Sequence, residues 1–459
     1  MKLFPEDSVF DIGKVGFDGK DADDRPYDVL GRKPLGQKLT VLVDRIEQPL
    51  VIALDGGWGS GKSHFLKLWT GAHQLELGGK AEVIYFDAFE HDYLDDPLVS
   101  LVSRLISQGD AKAWPQAAIL KLKKAAFPLA RVALRIGAAI TSAGITEVAG
   151  PVIDAVAGKV GEATDDKIKE FWQVETGRIA AMKQFRDALE ALTEPKVEGG
   201  ARQKIVFIVD ELDRCRPDYA LSLLEIIKHF FAVPNVHFVL GVNLDALSNS
   251  VVAQYGPNID GAKYLQKFVS VTMHLPRTLQ HNPNIQSSIA YFNNVHAQFI
   301  QSAELAAETR DRLADLARQQ DLTLRDVQRL MTCLALMPNS FDSFHWGLKT
   351  LIVGAAFLRV LHPTAYSKLR AQRLNIDDLA ASLSIAQPQS DADRQPQHRD
   401  WCVWVRALEG QSAWARHSIS TEIAVHVEKA FSHWGDGFEW REAQAIFADM
   451  FDSFTLPSR

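Results

Sequence analysis

A chain of 459 residues, 47% apolar and 23% charged, has the composition of an ordinary globular protein and room to bury two or three cores. Its net charge of −7 excludes a global basic footprint, so contact with nucleic acid would need a local patch. Cys215, Cys333 and Cys402 are too few and too scattered for a disulfide framework or a zinc cluster, which fits a reducing cytoplasm.

The first residues, MKLFPEDSVFDIGK, are acidic and lack the apolar stretch of a signal peptide. From residue 49 to about 276, apolar runs of strand length alternate with helix-period segments, the pattern of βαβ units around a mainly parallel sheet. Expected strands are 49–55, 82–87, 204–210, 236–243 and 268–275; expected helices include 62–76, 168–192 and 219–231. The polar stretch 193–203 reads as a loop. Residues 125–163 are rich in Ala, Gly, Ile and Val. Arg131, Arg135, Glu147, Pro151 and Asp154 interrupt every window of membrane-spanning length, so a helical insertion is expected and a membrane contact is not.

Beyond residue 276 no strand pattern stands out. Residues 285–383 read as helices, with 347–361 a buried core helix too short in its apolar part to cross a membrane. The polar stretch 384–399 reads as a linker. The last segment, 400–459, carries Trp401, Trp404, Trp414, Trp434 and Trp440, read as a small helical core. The expected organisation is therefore a core at 1–276 with an insertion at about 110–165, a helical lid-like domain at 277–383, a linker, and a Trp-rich helical region.

Residues 56–63, Gly-Gly-Trp-Gly-Ser-Gly-Lys-Ser, match G-x-x-x-x-G-K-[ST] between an expected strand and an expected helix. Such a loop turns consecutive backbone N–H groups around a β-phosphate. The nucleotide-contacting set is then Gly56, Gly57, Trp58, Gly59, Ser60, Gly61, Lys62, Ser63 and His64, which opens the helix. Lys62 would reach the β/γ oxygens, and the Ser63 hydroxyl would meet Mg²⁺. A plain glycine-rich turn explains the motif poorly, because a lysine at a helix start opposes the macrodipole unless an anion sits there.

The run IVFIVDELDRC at 205–215 is a buried strand ending in acid. Asp210 is placed to hold Mg²⁺ through water, and Glu211 to orient and deprotonate an attacking water. Asn243, at the end of the fourth strand, either touches a γ-phosphate or caps the helix that starts at Leu244. Arg214 and Arg216 follow the acidic pair and are candidates for stabilising charge on a transferred phosphoryl group. Arg325 and Arg329, at i and i+4 on one helical face, are candidate γ-phosphate sensors. Each of these arginines reads equally well as a solvated surface residue.

These segments together resemble the KAP P-loop NTPases. The likeness is carried by GGWGSGKS at 56–63, YFDAFEHDYLDDPLVSLV at 85–102 and IVDELDRCRPDYALSLLEIIKHFF at 208–231, with GVNLDAL at 241–247, YLQKFVSVTMHLP at 264–276 and LRDVQRLM at 324–331. It departs from the family pattern at Phe89, where a tryptophan is usual, and at Glu211, where the acidic pair is often two aspartates. The resemblance implies a three-layer α/β/α P-loop fold followed by a helical domain, with ATP and Mg²⁺ as cofactors. It also implies that DVLGRKPL at 28–35 brings Gly31 and Arg32 near the adenine. The implied activity is a nucleotide-driven switch in bacterial anti-phage defence, working as a homo-oligomer or with an effector protein from the same operon. An ATP-loaded scaffold or membrane-associated adaptor without turnover remains the alternative, and a DNA-translocating motor is disfavoured by charge.

Overall fold

A computed structural model describes residues 10–94, 96–112, 114–126, 180–195, 202–279, 282–336, 339–388 and 396–429, with Phe431, Phe447 and Phe451. The expected insertion from residue 127 onward, residues 168–179, Trp434 and Trp440 lie outside the described residues. The chain divides into two compact units, one spanning Phe10–Leu275 and one beginning at Pro276.

The first unit is built on five parallel strands: β1 (Leu50–Asp55), β2 (Glu82–Asp87), β3 (Ile205–Asp210), β4 (Val236–Val242) and β5 (Val271–His274), in the order β2-β3-β4-β1-β5. Every residue of β3 and β4 is buried, as continuous apolar runs in a parallel sheet require. The period-2 alternation divides the core. Ile52, Leu54, Val83, Tyr85, Val206, Ile208 and Val239 pack with α1 (Lys33–Arg45) and α2 (Lys62–Leu75) on one face. Ala53, Ile84, Phe86, Phe207, Val209, Phe238 and Leu240 pack on the other, against α3 (Pro97–Ala111) and α4 (Pro217–Phe230). Phe207 and Phe238 stack there at 4.9 Å between centroids, where emptying either ring's place would cost about 3–5 kcal/mol. Trp114, Ile119, Leu122 and Ala125, at the start of the expected insertion, belong to that same core. The fifth strand is shorter than its apolar pattern implies, because Phe268 closes a turn onto the Leu265 carbonyl before pairing begins at Val271.

Two buried histidines are expected to make this unit acid-sensitive. His73 of α2 accepts the Ala81 N–H on Nε2 (3.2 Å), leaving Nδ1 to donate to Thr40 Oγ1 (3.0 Å). His237 of β4 is fully buried, close enough to the Lys204 ammonium to be disfavoured as a cation. Burial first, and Lys204 second, push His237 from 6.5 to about 4, and burial lowers His73 as well. Because these folded pKa values lie below the unfolded ones, the stability contribution is complete above about pH 6.5 and is lost as pH falls. His237 alone is expected to remove ~2 kcal/mol between pH 7 and pH 5. Urea unfolding of wild type and His237→Leu at both pH values checks this; a variant that keeps the whole pH dependence would refute it.

The second unit opens with a strand pair that the sequence pattern does not announce, β6 (Thr278–Leu279) and β7 (Asn282–Gln286). Its residues are largely polar and half-exposed, so backbone pairing holds it without an apolar stripe. Helices follow, several with explicit starts: Ser302 caps Ala303–Ala317, Thr323 and Asp326 form a capping box on Leu324–Ala335, and Asn375 caps Ile376–Leu383. Helix Trp346–Leu361 is buried on all sides, as its apolar sequence requires. Among the described residues no helix is long and apolar enough to cross a membrane. Helix Pro396–Glu409 brings Trp401 and Trp404 into this same core, where Gly354 leaves room for the Trp404 ring. The buried Arg312–Asp400 ion pair ties it to helix Ala303–Ala317.

Candidate nucleotide site

The phosphate loop starts where β1 ends. Gly56 N–H donates to the Val242 carbonyl (3.2 Å), fastening the loop to β4. Gly59 and Gly61 have φ of 78° and 86°, a region that L side chains avoid. Their backbone bends bring successive N–H groups to the start of α2, whose first N–H groups have no partner within the helix. Lys62 is buried and donates to the Gly56 and Gly57 carbonyls (2.6 and 3.3 Å). Burial lowers its pKa, against the opposing pull of Asp213, Asp210, Glu211 and Asp55. Ser60 Oγ is buried without a hydrogen-bond partner. A set of donors around one loop, one of them orphaned, fits a phosphate chain.

Gly31, at φ 62°, turns the chain into α1 and sets Arg32 beside the loop. The buried guanidinium donates to the Ser60 and Gly61 carbonyls (2.9 and 3.2 Å). Burial lowers its pKa to about 10, which still leaves it charged at neutral pH. Asp28 accepts the Arg32 and Lys33 backbone N–H groups, both at 2.9 Å. His64 Nε2 lies 2.9 Å from the Tyr27 carbonyl and its ring meets Phe10, so the residue after Ser63 is tied to the same N-terminal segment.

The acidic side follows from strand parity. Val206, Ile208 and Asp210 share the α2 face of β3, so the carboxylate emerges at the strand's end on the face that α2 covers. Asp210 is fully buried; burial pushes its pKa up to about 6, opposed chiefly by the hydrogen bond from Tyr85. Tyr85 Oη donates to Asp210 Oδ2 at 2.7 Å, and the Glu211 N–H donates to Oδ1 at 3.0 Å. Glu211 has φ 61°, an uncommon conformation for a residue with a side chain and one that collects at functional sites. Its carboxylate accepts the Ser63 hydroxyl at 2.8 Å and pairs with Arg214 Nε at 2.5 Å.

Trp58, half exposed, donates from its indole to Asp213 Oδ2 (2.6 Å), linking the phosphate loop to the turn after β3. Asn243 sits between the two motifs because β4 lies between β1 and β3. Its Oδ1 caps the next helix, accepting from the Asp245 and Ala246 N–H groups at 3.1 and 3.3 Å. Asp55 Oδ1 accepts the Leu244 N–H at 2.9 Å. Arg216 sits by Asp92, which accepts its backbone N–H at 3.2 Å. Arg325 and Arg329 lie half-buried on Leu324–Ala335 of the second unit.

Among the described residues, no group of three or more His, Cys, Asp and Glu could hold a metal by itself. The Ser63 hydroxyl with Asp210 suits a cation that takes its remaining oxygens from phosphate and water, which is how Mg²⁺ is commonly held. Sequence reasoning did not find Tyr85, Asp55 or the contact of Arg32 with the loop. Parity places Tyr85 on the α2 face of β2, but only the pairing of β2 with β3 sets it beside Asp210.

Residues 32–340 match the KAP family P-loop domain. A relative is the phage T7 exclusion protein of Escherichia coli (strain K12), 22% identical over 268 residues, covering 56% of this chain and 34% of that protein. The chain thus spans about a third of the length of that relative. Among solved structures, the Aeropyrum pernix ORC2 protein in its ADPNP–ADP complexes aligns at 12% identity over 94% of this chain and 87% of that one, with a TM-score of 0.33. The glycine loop, the acidic pair at the end of a parallel strand one place removed from it in the sheet and a family match over more than half its length make this chain a member of the KAP family of P-loop NTPases.

Proposed function

We propose that the chain is a Mg²⁺-dependent ATPase acting as a nucleotide-driven switch, the ATPase component of a bacterial anti-phage defence system. The observation that carries the hydrolytic part is Glu211, a carboxylate 2.8 Å from the Ser63 hydroxyl and aligned by Arg214. In this reading Lys62 and the N–H groups of the loop bind the β- and γ-phosphates, and Ser63 and Asp210 hold Mg²⁺, which neutralises charge on the phosphate oxygens. Glu211 takes the proton of the attacking water. Asn243 offers its amide –NH₂ to the same water or to the γ-phosphate. Arg325 and Arg329 remain candidate sensors in the helical unit. Support for the defence role is the name of the phage T7 exclusion protein, of which this chain covers about a third. Partners would be further copies of the chain or an effector encoded beside it.

One observation favours a second reading, an ATP-loaded scaffold. Both carboxylate oxygens of Glu211 are already engaged, one by the Ser63 hydroxyl and the other by Arg214. Phosphate release by the purified chain with ATP and Mg²⁺, together with its mass in each nucleotide state, decides between them. Steady release with a nucleotide-dependent change of mass supports the switch. Bound ATP without release supports the scaffold.

A further inference from the structure

The carboxylate of Asp210 is held from three sides by parts of the sheet, and two of those parts have no assigned role. On β2, the ring of Tyr85 lies among Val83, Val206, Ile208 and Leu66 in the α2-side core. From there its hydroxyl reaches Asp210 Oδ2 at 2.7 Å. On β4, Gly241 pairs with Asp210, and a Cβ built at Gly241 would stand 2.4 Å from Asp210 Oδ1 and 2.6 Å from Leu66 Cδ1. The third side is the Glu211 N–H on Oδ1.

A buried apolar sheet face has little use for a tyrosine. Phenylalanine would fill the same volume with no hydroxyl to satisfy, so the hydroxyl's place is explained by its acceptor. A carboxylate with one oxygen held by a hydroxyl and the other confined against a glycine has a fixed rotation about Cβ–Cγ. A weakly held cation such as Mg²⁺, bound by few protein oxygens and strict in its geometry, is sensitive to that rotation.

We propose that Tyr85 is a positioning residue for cation binding, orienting Asp210 toward the Ser63 hydroxyl, with Gly241 providing the space this orientation needs. The proposal rests on the reading of Asp210 and Ser63 as the Mg²⁺-binding pair. Its test is the Mg²⁺ dependence of nucleotide binding, followed with a fluorescent ATP analogue in wild type, Tyr85→Phe and Gly241→Ala. Loss of one buried hydrogen bond to a charged group is expected to raise the half-saturating Mg²⁺ concentration on the order of tenfold in Tyr85→Phe. Nucleotide affinity in excess EDTA stays within about twofold, since the phosphate loop is untouched. Gly241→Ala, which displaces the same carboxylate from the opposite side, shifts the half-saturation in the same direction and serves if Tyr85→Phe does not fold.

A Tyr85→Phe protein with a lower melting temperature but the wild-type Mg²⁺ response overturns the proposal and leaves Tyr85 a core residue only. A wild type whose nucleotide binding does not respond to Mg²⁺ overturns the underlying reading of Asp210 and Ser63 instead.

Discussion

Glu211→Gln is expected to lower multiple-turnover phosphate release by about 10²–10⁴-fold while leaving ATP bound. The amide keeps the side chain's size and can still accept the Ser63 hydroxyl, so the loop and the left-handed backbone at residue 211 are not forced to move. What disappears is a proton acceptor and the charge paired with Arg214. Binding and chemistry therefore separate: the ATP dissociation constant stays near that of wild type, while release of phosphate falls. Rapid-quench measurement of phosphate, with bound nucleotide counted after gel filtration, reads both. Equal turnover in variant and wild type would remove Glu211 from the mechanism. Equal inertness of both, with ATP retained, would favour the scaffold reading.

Lys62→Ala acts one step earlier. Its ammonium is buried within the field of Asp210, Glu211, Asp213 and Asp55, all of which oppose the fall in its pKa. Removing it takes away the charge that meets the β/γ oxygens and leaves those carboxylates to repel the triphosphate. Affinity for ATP is expected to fall about a hundredfold or more, on the scale of lost charge-assisted hydrogen bonds. Lys62→Arg is not expected to restore it, since a planar fork does not occupy the place of a compact ammonium that donates to the Gly56 and Gly57 carbonyls. Isothermal titration with ATP and Mg²⁺ measures the loss. Turnover that survives Lys62→Ala would sink the proposed chemistry.

The sequence carries the residues of both predictions directly. Lys62 and Ser63 are legible because a phosphate loop is a local object: its glycines, its lysine and its helix start lie within eight consecutive residues. Asp210 and Glu211 are legible for a similar reason, since a buried strand ending in two acids points them at the sheet's carboxyl edge. Arg32 is different. The resemblance placed it near the base, and the fold sets its guanidinium on the Ser60 and Gly61 carbonyls. The two residues are 28 and 29 positions away along the chain, and no periodicity links them. The pairing of 278–279 with 282–286 is silent for another reason: backbone pairing between largely polar residues leaves no hydrophobic pattern to read.

By itself the sequence determined the alternation of strands and helices, the phosphate loop, the acidic pair and the family, because each is written in contiguous residues whose spacing meets a local physical need. The tertiary structure alone decided the strand order, and with it which distant groups meet. Placing β4 between β1 and β3 puts Gly241 against Asp210 and Asn243 between the loop and the acids. Pairing β2 with β3 puts the Tyr85 hydroxyl on the same carboxylate. Strand order is settled by how the whole sheet buries its two faces, a global balance of packing that no single segment records.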